Sequence, residues 1–246
     1  MNLAICSLSL IPLRAEKSHR SEMVSQVLFG ETFTVLEDNK EWSFVRIQEN
    51  GYEGWVQNGQ FEYINPFQIE KIWKMIDIEQ AQIHYPRSSV RLLHGTPIYS
   101  SNLERLSIQG AIRSPTLDDF NTEFPRLIAH YLHTPYLWGG RSLYGIDCSG
   151  LTQLFYRHFG LLIPRDAWQQ AEQGRVVDFV TEIKAGDLGF FDNAEGRITH
   201  VGIMIDAETI LHASSKVRID KFDTEGIFNQ ETNQYTHKFR ILKQFF

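Results

Sequence analysis

The chain has 246 residues, 42% of them hydrophobic and 22% charged, with a formal net charge of −6. That balance fits a folded chain of one or two domains; it excludes wholesale disorder, and it excludes a broad basic surface for nucleic acid or anionic lipid. Two cysteines, Cys6 and Cys148, are too few for a disulfide scaffold or a multi-cysteine zinc site, and no apolar run approaches the roughly 20 residues of a membrane span.

Residues 3–13, LAICSLSLIPL, are apolar enough to raise the question of a secretion signal. No Lys or Arg precedes them, Ser7 and Ser9 interrupt the run, and no small-residue cleavage site follows, so the expectation is a strand that enters the fold. A cytoplasmic location is expected on the same ground, or a periplasmic or extracellular one if a leader has been removed. Val24–Leu28 and Thr32–Leu36 are β-rich and separated by Phe29-Gly30-Glu31, which predicts a hairpin. In EWSFVRIQENGYEGWV, residues 41–56, Trp42, Phe44 and Val45–Ile47 lie on one strand, Asn50-Gly51 makes the turn and Tyr52–Val56 returns. Short strands at this spacing predict a small barrel over 1–65. The W-x-x-V-x-I…G-Y-x-G-W-V run resembles bacterial SH3-type domains.

Residues 66–120 are less legible. Ile69, Ile72, Trp73 and Ile76 have helical spacing within Phe67–Ile78, and strands are predicted at Val90–Leu93, Pro97–Tyr99 and Leu106–Ala111. The stretch reads as a second, degenerate SH3-like unit or a structured linker. The texture changes over 121–246. Phe124–Leu132 is helical in pattern and stops at Thr134-Pro135, and PYLWGGRSLYGIDCSG is a loop. Leu151, Leu154, Phe155 and Phe159 share one helix face, with Gly160 as C-terminal cap. Asp187–Phe191, His200–Ile205 and Thr209–Ser214 follow as strands, so this half reads as an α+β unit.

Cys148 falls at the first turn of the Leu151–Phe159 helix, with Asp147 placed as N-cap. A free thiol has a pKa near 8.5, so only about 3% is thiolate at pH 7. A helix N-terminus and a nearby imidazole both favour the thiolate. A lone cysteine is commonly a buried structural residue, and Cys6, inside an apolar strand, reads that way. Two histidines set Cys148 apart. His200 opens HVGIMID and His212 lies in TILHAS. If Asp206–Thr209 turns a hairpin with a one- or three-residue loop, both imidazoles share a face at a two- or four-residue offset. The nearer offset is roughly 7–8 Å between Cα atoms. A two-residue loop would put them on opposite faces. On one face, one imidazole could take the thiol proton while the other orients it.

The ordered run Y-L-W-G-G-R…G-I-D-C-S-G-L, I-P-R-D-A, G-D-L-G-F-F, T-H-V-G-I and H-A-S resembles the NlpC/P60 family of cell-wall cysteine peptidases. The resemblance implies a papain-like catalytic domain preceded by one or two small all-β SH3-like barrels. By motif it makes Cys148 the nucleophile, His200 the base and His212 the orienting third residue. It implies hydrolysis of peptidoglycan stem peptides, commonly at the γ-D-glutamyl bond to a diamino acid, with no cofactor and no metal. Tyr136 and Trp138 then wall the cleft, with the Tyr136 hydroxyl supporting an oxyanion. Asp147 and Ser149 bind peptide polar atoms, and Arg165 and Asp166 meet the stem's charged groups; Asp187 reads as a turn residue. Ala167 departs from the small hydroxyl residue that relatives often carry after R-D, which puts one substrate hydrogen bond in doubt.

SH3-like modules ahead of this domain resemble the γ-D-glutamyl-L-diamino acid endopeptidases of muropeptide recycling, in which the first module restricts substrates to peptides with a free N-terminal L-alanine. Here Glu22 is the candidate partner of that amine, Glu53 the second, and Tyr52 and Trp55 candidate covers for the alanine. The partners implied are peptidoglycan-derived peptides, with no nucleic acid and no membrane span. Three alternatives stay open: a general wall endopeptidase with targeting modules, a non-catalytic wall-binding protein, and a same-fold acyltransferase or amidase.

Overall fold

Apolar and polar residues alternate through WSFVRI and EGWVQ, which gives strands with one buried face. The computed structural model, describing residues 2–65, 74–79, 81–99 and 107–246, carries that pattern through the whole N-terminal region. Strands β1 (Asn2–Cys6), β2 (Leu10–Arg14), β3 (Met23–Leu28), β4 (Thr32–Asp38), β5 (Trp42–Ile47), β6 (Glu53–Gln57) and β7 (Phe61–Tyr63) form one antiparallel sheet in the order β3-β2-β6-β5-β4-β1-β7. Its inner face buries Ala4, Cys6, Ile11, Leu13, Phe33 and Val45, with Tyr52 packed against them. The Asn50-Gly51 hairpin joins β5 to β6 as its sequence predicts, with Gly51 at φ +72° and the Ile47 N–H donating to the Tyr52 carbonyl.

The hairpin predicted between residues 24–28 and 32–36 does not form. Both strands exist, but β3 pairs with β2, and β4 pairs with β1 and β5. The Phe29-Gly30-Glu31 turn is bonded to the β1–β2 loop instead: Phe29 N–H donates to Ser9, Gly30 N–H to Cys6, and Cys6 N–H to Glu31. Those bonds turn the chain from one part of the sheet to another.

Beyond this sheet lie β8 (Lys74–Ile76), β9 (Ala81–Tyr85), β10 (Ser88–Leu92), β11 (Pro97–Ile98), β12 (Ser107–Gln109) and β13 (Ile112–Arg113). They make two three-stranded sheets, β10-β9-β12 and β11-β8-β13. The helical reading of 67–78 falls largely outside the described residues. At Lys74–Ile76 the chain is a strand, because β11 and β13 pair on its two sides and Met75 and Ile76 are both buried between them.

The chain divides into two compact units, Met1–Asp119 with Tyr156–Leu162, and Phe120–Phe155 with Ile163–Phe246. In the first, the buried Arg157 guanidinium lies 2.6 Å from Glu31 and also pairs with Glu49. The second holds helices α1 (Phe120–Tyr131) and α3 (Ala167–Ala171). Helix α2 (Cys148–His158) buries Leu151, Leu154 and Phe155, and Gly160 follows it at φ +87°. A short ladder, β14 (Arg141–Ser142) with β15 (Gly145–Ile146), lies inside the segment predicted as loop. Strands β16 (Arg175–Val176), β17 (Leu188–Asp192), β18 (Ile198–Met204), β19 (Thr209–Ser214), β20 (Lys216–Phe222), β21 (Gly226–Asn229) and β22 (Gln234–Gln244) are ordered β16-β22-β17-β18-β19-β20-β21. Because β21 also pairs with the long β22, six of these strands close into a ring. Among the described residues no helix is long and apolar enough to cross a membrane.

Candidate active site

Asp147 fixes the start of α2. Its Oδ1 accepts the Gly150 N–H at 2.7 Å, which is N-cap geometry, and its Oδ2 accepts the Gly139 N–H at 2.8 Å. One carboxylate thus ties the helix to the glycine turn before it. Arg165 completes the arrangement from the segment after α2, with its two terminal nitrogens 3.1 and 2.5 Å from the Asp147 oxygens and 2.7 Å from Ser149 Oγ. Gly150 is required here, because a Cβ at this position would run into the Gly140 carbonyl oxygen. Cys148, the first residue of α2, is thereby held on a rigid base.

The strands opposite supply the imidazoles. β18 and β19 pair with Gly202 opposite His212. Ile205 N–H donates to the Thr209 carbonyl, leaving a three-residue loop. That parity puts His200 and His212 on one face, and His200 Nε2 lies 2.9 Å from His212 Nδ1. Gly202 permits the approach, since a Cβ there would sit 3.0 Å from His212 Cβ. Cys148 is drawn to the main chain of Val201, next to His200.

The line continues past the two histidines. His212 Nε2 lies 2.9 Å from Asp220 Oδ2 on β20, Asp220 Oδ1 accepts from Arg218 Nη2 at 2.9 Å, and Arg218 Nε lies 2.6 Å from the same Oδ2 that faces His212. Arg218 in turn reaches Glu231 at 3.2 Å. His237, on β22, stacks on His200 with ring centroids 4.0 Å apart and planes 24° apart. Sequence reasoning missed Asp220, Arg218 and His237. Asp220 carried a faint signal, a carboxylate at a buried position of the strand KVRIDKF; His237 sits in a largely exposed strand and carried none.

Burial governs the titration here. Desolvation, reinforced by the Asp147 charge, pushes the Cys148 thiol up to about 12. In the free protein, removal from water outweighs the main-chain bonds at Val201 and Ser149 and the Arg165 charge, all of which favour the thiolate. Burial also drives His200 well below its ordinary value, and neighbouring His237 and His212 add to the effect. His212 is lowered by burial, against the opposing pull of Asp220. For Asp220 burial alone would raise the pKa, but hydrogen bonds from His212 and Arg218 win and hold it low. The resting set is a neutral thiol, two neutral imidazoles and a carboxylate.

Around this set, Tyr136 is half-buried, and burial, with Cys148 and the Asp147 carboxylate close by, raises its phenol, which keeps it a hydrogen-bond donor. Trp138 is 58% exposed. Asp166 is the N-cap of α3, its N–H donating to the Gln169 side chain at 3.2 Å. Arg165 is buried and directed at Asp147 and Ser149, so its charge is met inside the protein. Asp187 is a turn residue, its carboxylate accepting the Lys184 N–H at 2.8 Å. Glu22, Tyr52, Glu53 and Trp55 belong to the first unit, where Glu22 is exposed, Glu53 pairs with Arg46 at 2.6 Å and Trp55 lies against Phe44. His200, His212 and His237 each bring one ring nitrogen within 4.8 Å of the others, a spacing that a divalent cation could take. The His200–His212 pair is already joined by a hydrogen bond, however, and the His200 and His237 rings lie stacked 4.0 Å apart with planes 24° apart, so their in-plane lone pairs do not converge readily on one ion.

A family model described as the NlpC/P60 family matches residues 133–237, and one described as a bacterial dipeptidyl-peptidase SH3 domain matches 13–61. The chain is 31% identical over 212 residues to a gamma-D-glutamyl-L-lysine dipeptidyl-peptidase of Bacillus subtilis, covering 77% of this chain and 71% of the relative. A Bacillus cereus protein of the same name is 26% identical over 257 residues, covering 87% of this chain and 74% of the other. The crystal structure of an NlpC/P60 family protein from Bacillus cereus aligns with a TM-score of 0.78 at 21% identity, covering 98% of this chain and 99% of that one, and so shares its fold.

Proposed function

The chain belongs to the NlpC/P60 family of cell-wall peptidases, with an SH3-type domain ahead of the catalytic one, and from that premise we propose that it cuts the γ-D-glutamyl bond to an L-diamino acid in stem peptides that carry a free N-terminal L-alanine. The names of its relatives, gamma-D-glutamyl-L-lysine dipeptidyl-peptidases, support the bond and the peptide class. The observation that carries the chemistry is the 2.9 Å bond between His200 and His212, with Val201, the residue after His200, against Cys148. In the proposed reaction His200 takes the thiol proton as Cys148 Sγ attacks the scissile carbonyl carbon. The oxyanion meets the Cys148 N–H and the Tyr136 hydroxyl. His200 returns the proton to the leaving amine, and water then hydrolyses the thioester. Recycling of released wall peptides in the cytoplasm is the setting proposed for this reaction.

Incubation with L-Ala-γ-D-Glu-L-Lys should release L-Ala-γ-D-Glu and lysine, and Cys148→Ala should abolish release while the melting temperature stays near wild type. Retained activity in Cys148→Ala would overturn the peptidase reading. Equal cleavage of ordinary α-peptides would replace the substrate class, and turnover only with an amine acceptor would point to an acyltransferase. The proposed partner of the substrate amine is Glu22. Glu22 is exposed in the free protein, so the pair proposed is one that the bound peptide itself covers; orphaning one member of such a covered pair costs roughly 3–5 kcal/mol, or about 10²- to 10³-fold in kcat/KM, against about 0–1 kcal/mol for a pair left in water. Acetylating the alanine should therefore lower kcat/KM at least about a hundredfold. Glu22→Ala should cost a similar factor on the free peptide and little more on the acetylated one. Equal cleavage of both peptides would leave a general wall endopeptidase with targeting modules.

A further inference from the structure

The His200–His212 bond leaves one question open: which of the four ring nitrogens carry the two protons. An imidazole base works only if the nitrogen facing the acid has its lone pair, and that is decided by the partner of the other nitrogen. In this protein the deciding partner stands one ring beyond His200. The geometry points to Asp220 as a positioning residue that sets the tautomers of both histidines and so keeps His200 Nδ1 unprotonated for the Cys148 proton. This rests on the proposed peptidase reaction.

The proton positions are set outward from Asp220. A carboxylate accepts and never donates while ionised. Asp220 is kept ionised by two contacts to Arg218, at 2.9 Å from Nη2 and 2.6 Å from Nε. His212 Nε2, 2.9 Å from Asp220 Oδ2, must therefore carry a hydrogen. A neutral imidazole has one N–H, so His212 Nδ1 is an acceptor. The bond of 2.9 Å to His200 Nε2 then requires that Nε2 be the donor. Neutral His200 is left with its lone pair on Nδ1. Both histidines are buried and held neutral, so solvent does not scramble the assignment. When His200 accepts the thiol proton, its positive charge faces a carboxylate through one ring, which stabilises the imidazolium. The charged and titratable groups around the line are Arg218, Glu231 and the stacked His237.

Asp220→Asn keeps the shape and reverses the logic. With Arg218 Nη2 holding the amide oxygen at the Oδ1 position, the NH2 group takes the Oδ2 position, beside an Arg218 Nε that makes no hydrogen bond, and donates to His212 Nε2. The His212 proton moves to Nδ1, which then donates to His200 Nε2, and the His200 proton goes to Nδ1. In a Ser-His-Asp triad the corresponding exchange lowers kcat by about 10⁴; with one more ring between, a loss of at least about a hundredfold is expected here. The test has two arms. In ¹⁵N-histidine-labelled wild-type protein at pH 7, long-range ¹H–¹⁵N spectra should show His200 and His212 both protonated at Nε2. Asp220→Asn should move both protons to Nδ1, with a melting temperature near wild type and kcat/KM on L-Ala-γ-D-Glu-L-Lys reduced at every pH between 6 and 9. A wild-type His200 protonated at Nδ1 would overturn the proposal, whatever the variant does. So would an Asp220→Asn enzyme within threefold of wild type. The spectra need no turnover, so their failure is distinct from failure of the peptidase reading, which Cys148→Ala decides alone.

Discussion

Cys148 is buried and neutral at rest, with its thiol pushed up to about 12 by desolvation. Only about 10⁻⁵ of it is thiolate at pH 7 on that value. Alkylation of the free protein by iodoacetamide should therefore be slower than that of a simple thiol at neutral pH and should rise about tenfold per pH unit to above pH 9. A plateau near pH 6 would show a preformed thiolate–imidazolium pair and overturn the resting state derived above. At this scale the sequence was legible where short-range motifs exist. Cys148 behind Asp147, and His200 and His212 on one hairpin, are read from spacing of twelve residues or fewer within each motif. Asp220 and His237 come from strands whose place beside the histidines is fixed only by the closed sheet, and nothing local announces them.

Among the elements, α2 has little tolerance at its start. Its third residue, Gly150, meets the Gly140 carbonyl so closely that no side chain fits. Gly150→Ala should shift the helix start, cost about 1–3 kcal/mol as overpacking does, and lower kcat more than a surface Gly→Ala of equal helix propensity. A urea titration and a turnover measurement check both. Unchanged kcat would mean that the helix start does not position the thiol. The β18–β19 hairpin was legible only in part: loop length fixes residue parity in an antiparallel pair, the sequence left that length open, and the three-residue loop of the structure puts both imidazoles on one face. The β3–β4 pairing was misread for a related reason. A Gly turn between two apolar strands specifies a reversal, while the partner of each strand is chosen by the rest of the sheet.

At the scale of the whole molecule the buried histidines set the acid limit. His200, His212 and His237 all titrate below their ordinary value when folded, His237 at about 4, burial being the main cause in each case. Below pH 6.5 the unfolded chain binds protons on these residues that the folded chain refuses. The sign is that of depressed folded pKa values: stability is complete above about pH 6.5 and falls as pH drops toward 4. Each histidine contributes a slope of about 1.4 kcal/mol per pH unit within that window. Urea midpoints from pH 7 to 4 should show it, with His237→Phe, which keeps a ring on His200, lowering the slope by about one proton. A flat profile would mean that the imidazoles are not held neutral. The ring closed by β22 has another result. A sheet with free edges offers unpaired N–H and C=O groups to neighbouring copies, and such edges seed fibrils. Here β21 meets β22, and the strand left over, β16, is two residues long. A peptidase whose substrates are themselves extended peptides thus presents them with almost no ladder to join, so that backbone pairing along this sheet competes little with entry to the cleft.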